Sequence, residues 1–207
     1  MSRWRILGWL GILLLFPTVI LGSGEKSPPI LFLEVRGTID PAMARYVSRG
    51  LAQARQQEAV AVVIELDTPG GLKRSTQRIV QEILDSAVPV LVHVTPEGAQ
   101  AGSLGSFIPI AAHVAAMAPG TTIGLSSTKP VSSKESVPPP EILPALATFR
   151  SMAESRGRHF AWAQTLLSEK RICTAVQARA EGAIDLVVTD RDQLMAQAEG
   201  REIKTVL

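Results

Sequence analysis

With 207 residues, a formal net charge of +2 and 46% hydrophobic residues, the chain has the size of one ordinary domain once a targeting segment is set aside. The small charge, with Lys and Arg scattered rather than gathered into a stripe, argues against nucleic acid as a partner. Cys173, the single cysteine, excludes an intramolecular disulfide and any CxxC motif, while His93, His113 and His159 stand apart without metal-ligand spacing.

Residues 1–24 have the parts of a secretory signal: Arg3 and Arg5, the apolar run Ile6 to Leu21, and the small residues Gly22-Ser-Gly24. An uncleaved membrane anchor is the alternative, with Pro17 interrupting the run. Both readings place the rest of the chain in the cell envelope, exported across or anchored in the cytoplasmic membrane. Residues 25–29 read as a linker, and 30–207 as the folded domain.

Ile30-Leu-Phe-Leu-Glu-Val35 is predicted as a strand, followed by a helix from about Ala42 to Gln57 with Asp40 as N-cap and Pro41 in the first helical position. Ala59 to Leu66 is a nearly continuous apolar strand, as expected where both faces are covered. A helix between two such strands suggests a parallel βαβ unit. The pattern repeats with a helix over Lys73 to Ser86 and a strand over Val88 to Val94.

Two turns follow strand ends, the edge at which ligands collect in open α/β sheets. In Asp67-Thr-Pro-Gly70-Gly71, the glycines can present backbone N–H groups to a developing oxyanion. In Gly98-Ala-Gln-Ala-Gly-Ser103-Leu-Gly105, small residues surround one hydroxyl and lead into an Ala/Ile-rich segment suited to a buried helix, a plausible mount for a nucleophile. Structural turns are the bland alternative for both.

Thr121 to Gly124 is predicted as a short strand, and Ser126 to Pro140 as a loop rich in Ser, Lys and Pro. Helical runs are expected within Glu141 to Gly157 and over Phe160 to Ser168. A helix capped by Thr174 and stopped by Gly182, a strand over Ala183 to Val188, and a helix near Asp190 to Ala198 complete the reading.

The chain resembles the NfeD family of membrane-associated serine proteases, of the ClpP/crotonase fold group. The resemblance rests on Leu66-Asp-Thr-Pro-Gly-Gly71, Gly98 to Gly105, Ala111-Ala-His-Val-Ala-Ala-Met-Ala-Pro-Gly-Thr-Thr-Ile-Gly124, Arg150-Ser-Met-Ala-Glu-Ser-Arg-Gly-Arg158 and Gly182-Ala-Ile-Asp-Leu186. It implies an α/β, ClpP/crotonase-like fold of repeated ββα and βαβ units, with a mainly parallel core, surrounding helices and homo-oligomeric assembly. It further implies an endopeptidase that cleaves hydrophobic peptide segments through an acyl-enzyme on Ser103. Gly70, Gly71 and Leu104 would form the oxyanion hole, and a lysine would act as general base. Such a base works because burial depresses the pKa of an amine until it can take the serine proton. Serine acyl transfer requires no cofactor. Peptides or membrane proteins, among them stomatin-like proteins, are the implied substrates.

One departure bears on activity. Counting back from Arg150-Ser-Met-Ala-Glu, the family's usual lysine position falls on Pro140; Lys134 and Lys129 are the nearest substitutes, and Lys134 is the candidate base. The alternative function is a catalytically degenerate binding or scaffold protein for a membrane-protein partner. His113, in an apolar run with nothing to orient it, reads as a core histidine rather than a triad base.

Overall fold

The computed structural model describes residues 28–124, 151–152, 154, 156–158 and 171–205. The predicted leader, the Ser/Lys/Pro loop with Lys129, Lys134 and Pro140, and the helical run over Phe160 to Ser168 lie outside the described residues.

The chain begins with β1 (Ile30–Arg36), α1 (Pro41–Gln56), β2 (Ala61–Asp67), α2 (Lys73–Leu84) and β3 (Val90–Val94). Asp40 caps α1 as its sequence predicts, its carboxylate accepting from the Met43 N–H at 2.8 Å with Pro41 opening the helix; such a cap contributes about 1 kcal/mol. Every residue of β3 and the first six of β2 are buried, which explains why neither alternates between apolar and polar side chains.

After β3 come β4 (Gln100–Gly102), a 3₁₀ turn (Ser103–Ser106), α3 (Phe107–Ala111), β5 (Val114–Met117) and β6 (Thr122–Gly124). The Ala/Ile-rich stretch expected to be helical therefore divides. Ala112 turns extended, and Val114–Met117 becomes a central strand, buried throughout. Alanine carries little strand propensity, and burial on both faces removes the period-two signal, so this strand has no local signature. The backbone N–H of His113 donates to the carbonyl of Val90 and fixes the register.

The described chain ends with β7 (Ile172–Thr174), α4 (Ala175–Ala180), β8 (Leu186–Val187) and α5 (Arg191–Ala198). A capping box between Thr174 and Gln177 starts α4, and Asp190 caps α5. The strand expected over Ala183 to Val188 is confined to two residues.

The main sheet has the order β1-β2-β3-β5-β8 with every pairing parallel, and a second sheet has the order β4-β6-β7. In the second sheet β4 and β6 are parallel, whereas β6 and β7 are antiparallel. Helices α1, α2 and α3 pack on one face of the main sheet, around Ile64, Leu66, Ile79, Ile83, Ile108 and Ile110. Leu194 of α5 packs on the other face with Val63, Leu91 and Val188.

That second face also carries charge. Glu65 is paired across strands with Glu34 and His93, and Arg191 Nη2 meets the Glu65 carboxylate at 2.7 Å. The arginine also lies 4.7 Å from the ring centre of Phe32. Its hydrogen bond holds the Glu65 carboxyl below the usual carboxylate range despite burial.

Candidate active site

The two turns picked out in the sequence meet where the sheets join. The turn after β2 is fastened to β4: Thr68 N–H donates to Gln100 O at 2.7 Å, Gly102 N–H to Thr68 O at 2.8 Å, and Gln100 N–H to Asp67 Oδ1 at 3.1 Å. On its other side, Ile39 N–H donates to Gly70 O at 2.9 Å and Leu72 N–H to Ile39 O at 2.8 Å. Ser103 leaves β4 with φ of +50°, a left-handed conformation that costs a non-glycine residue on the order of 1–3 kcal/mol.

Glycine at position 70 permits the contact between these turns. With φ of +113°, Gly70 lies so near the serine that an added Cβ would come within 2.8 Å of Ser103 Cβ and 3.4 Å of its Oγ. A Cβ on Gly102 would lie 3.0 Å from Pro69 O, and one on Gly105 would collide with Thr68 Cγ2 at 2.6 Å. The small residues of each turn thus make room for the backbone of the other.

The backbone donors differ in their commitments. Gly70 N–H donates to Thr68 Oγ1 at 3.0 Å, and that hydroxyl donates to Gly70 O at 3.1 Å. In the parallel bridge between Ile39 and Gly71, the hydrogen bonds use the groups of residues 70 and 72, so the N–H of Gly71 points away from Ile39. Leu104 N–H lies in the first turn of its helical run, where intrahelical acceptors are lacking. Gly71, Ser103 and Leu104 are partly exposed, whereas Thr68, Gly70, Gly102 and Gly105 are buried behind them. Sequence reading passed over the Thr68 hydroxyl as an organiser, although it stands in the quoted Asp-Thr-Pro-Gly-Gly segment.

Lys134 lies outside the described residues, so Ser103, Gly70, Gly71 and Leu104 are the predicted site residues that the structure brings together. His113 is occupied elsewhere: its Nδ1 accepts from Val90 N–H at 3.1 Å. Burial, followed by the charges of Arg156 and Arg158, pushes its pKa down to about 4. Burial also depresses His93, whose Nε2 lies 3.2 Å from the Val188 carbonyl.

A neutral His113 has a consequence for stability. Its folded pKa lies below the unfolded value of about 6.5, so between those values the unfolded chain binds more protons and stability falls as pH falls. From about pH 6.5 to pH 4, His113 should cost on the order of 2 kcal/mol after allowance for solvent screening. His113→Asn retains an acceptor for Val90 N–H and removes the titration. Denaturant unfolding at several pH values should show a shallower acid loss for that variant; an unchanged slope would assign the loss to other groups.

A model of the N-terminal domain of NfeD1b matches residues 30–201. The chain belongs to the NfeD1b N-terminal domain family. Membrane-bound protease PH1510 of Pyrococcus horikoshii is 33% identical over 193 residues, which cover 90% of this chain and 43% of the relative. Membrane protein NfeD1b of Bacillus subtilis is 29% identical over 119 residues, covering 57% of this chain and 26% of the relative. The chain therefore spans less than half the length of either protein.

Among solved structures, this NfeD1b-type domain is similar to the 1510-N membrane-bound stomatin-specific protease, represented by a lysine-to-alanine variant in complex with a substrate peptide. The TM-score is 0.77 at 31% identity, with 87% of this chain and 84% of that chain covered. A serine-to-alanine variant of the same protease gives 0.76 at 31% identity, covering 86% and 87%. ClpP1 of Listeria monocytogenes, at 19% identity and a TM-score of 0.61 over 79% of this chain and 94% of that one, shares the fold. The architecture is thus ClpP-like, with a mostly parallel sheet flanked by helices. Among the described residues no helix is long and apolar enough to cross a membrane.

Proposed function

We propose that this chain is a membrane-associated serine endopeptidase in which Ser103 attacks the scissile carbonyl and Gly71 and Leu104 supply the oxyanion donors. The contact between the left-handed Ser103 and the Gly70 turn carries this reading, because it brings the serine against the turn whose Gly71 N–H points away from Ile39, while the Leu104 N–H follows the serine directly in the chain. With its own N–H on Thr68, Gly70 contributes close approach rather than a donor. Attack forms an ester between Ser103 Oγ and the substrate acyl group; the serine proton passes through the base to the departing amine, and water then hydrolyses the ester. Lys134 is the candidate base. The substrates are apolar peptide segments, with a stomatin-like protein as the partner suggested by the similar protease, and the working form is a homo-oligomer. Hydrolysis of an apolar peptide by the full chain, with the serine adduct located by mass spectrometry, tests this. Lys134→Ala should lower turnover by about 10²–10⁴-fold; full activity in that variant would retire Lys134 as base.

Pro140 at the expected lysine position favours a second reading, in which the same groove binds a membrane-protein partner without cleaving it. Wild-type binding of the peptide with neither turnover nor adduct, unchanged in Pro140→Lys, would decide for this alternative.

A further inference from the structure

The far end of the helical run that begins at Ser103 is held by two arginines that acyl transfer does not use. Arg158 is buried, and its Nη1 donates to Ile110 O at 2.6 Å and to Ala112 O at 2.8 Å, while Nη2 donates to Asp185 Oδ2 at 2.6 Å. Arg156 Nε donates to the intervening carbonyl of Ala111 at 3.0 Å. Three consecutive carbonyls, which lack donors inside the helix, are thereby satisfied from one short segment. The two cations also face the negative end of the helix dipole.

Asp185 extends the clamp into the main sheet. Its Oδ2 accepts from Ala115 N–H at 2.7 Å, and its own N–H donates to Ala115 O at 2.8 Å, beside β5. The run from Ser103 to Ala111 is therefore fixed at both ends. One end sets the serine against Gly70, with Ser106 Oγ donating to Ser103 O at 2.7 Å. The other end is anchored to residues 156–158 and β5. The 3₁₀ turn and α3 follow one another without a break, so the two anchored ends belong to one continuous helical run.

We propose that Arg156 and Arg158 are positioning residues that keep the Ser103 hydroxyl in register with the Gly71 and Leu104 N–H groups by anchoring the opposite end of its helical run. The proposal rests on the reading of Ser103 as nucleophile. Arg156 is the residue to test, since it is partly exposed and makes a single bond to this helix, whereas loss of the buried Arg158 threatens folding itself.

The experiment measures fluorophosphonate inactivation at saturating probe together with amide hydrogen exchange over residues 103–111, in the full chain. Arg156→Ala should slow inactivation by about tenfold or more with the half-saturating concentration within about twofold, because misplacement by a fraction of an ångström affects the reacting geometry more than binding. Exchange over 103–111 should rise in the same variant, and Arg156→Lys should recover most of both effects by supplying one donor to Ala111 O. Arg191→Ala, which disrupts the ion pair on the opposite sheet face, should alter neither readout. Wild-type exchange and inactivation in Arg156→Ala, or equal slowing in Arg191→Ala, overturns the proposal. Should the wild type take no probe at Ser103, the nucleophile reading fails separately. Exchange then decides the positional link: a rise confined to Arg156→Ala supports it, and no rise overturns it.

Discussion

Ser103→Ala should abolish peptide turnover and fluorophosphonate labelling, a loss of about 10⁴-fold or more, because nucleophile and base act as a unit. The fold should survive. Ser103 Oγ has no structural hydrogen bond among those described; the local bonds run through the carbonyl of Ser103 and the hydroxyl of Ser106. Alanine inherits the φ of +50°, so Ser103→Ala should melt close to the wild type, whereas Ser103→Gly, free of that strain, should be about 1 kcal/mol more stable than the alanine variant. Calorimetry and turnover on the three proteins separate the two effects. Turnover by Ser103→Ala at the wild-type rate would remove this serine from the chemistry.

Gly70→Ala should also damage activity, less severely and by another route. The new methyl group must share space with Ser103 Cβ at 2.8 Å and Gly102 O at 3.0 Å, on a backbone with φ of +113° that an L-residue rarely adopts. Backbone strain of this kind costs about 1–3 kcal/mol. Displacement of Ser103 by about 1 Å lowers the rate by about 10²-fold. Gly98→Ala provides the comparison: it imposes similar strain at φ of +83°, but its added Cβ meets nothing within 4 Å. Both variants should lose stability, and only Gly70→Ala should lose most of its kcat. Equal activity losses would mean that backbone strain, rather than contact with the serine, governs the effect.

The sequence was most readable where a single residue type has one physical use. Asp40 with Pro41, and Thr174, cap helices because their side chains reach orphan N–H groups. The buried strands β2 and β3 were visible as apolar runs bounded by turns. By contrast, β4 and β7 have three residues each, too few for a period to register, and β5 is built of residues that suit a helix equally well. At the candidate site, the glycines and Ser103 announced themselves through the room they leave. The orientation of the donors did not: that Gly71 faces away from Ile39 depends on a bridge to a residue some thirty positions earlier in the chain. The arginine clamp was equally hidden, since its acceptors are backbone carbonyls, which have no signature of their own.

The site lies on a seam. The Pro-Gly-Gly turn belongs to the main sheet and Ser103 to the end of the smaller one, joined through the bridge between Thr68 and Ala101. Neither sheet alone holds both turns. A disturbance that merely parts the two would separate the hydroxyl from its neighbouring N–H groups while each helix and strand kept its shape, so the integrity of the site and that of the fold are different quantities in this domain.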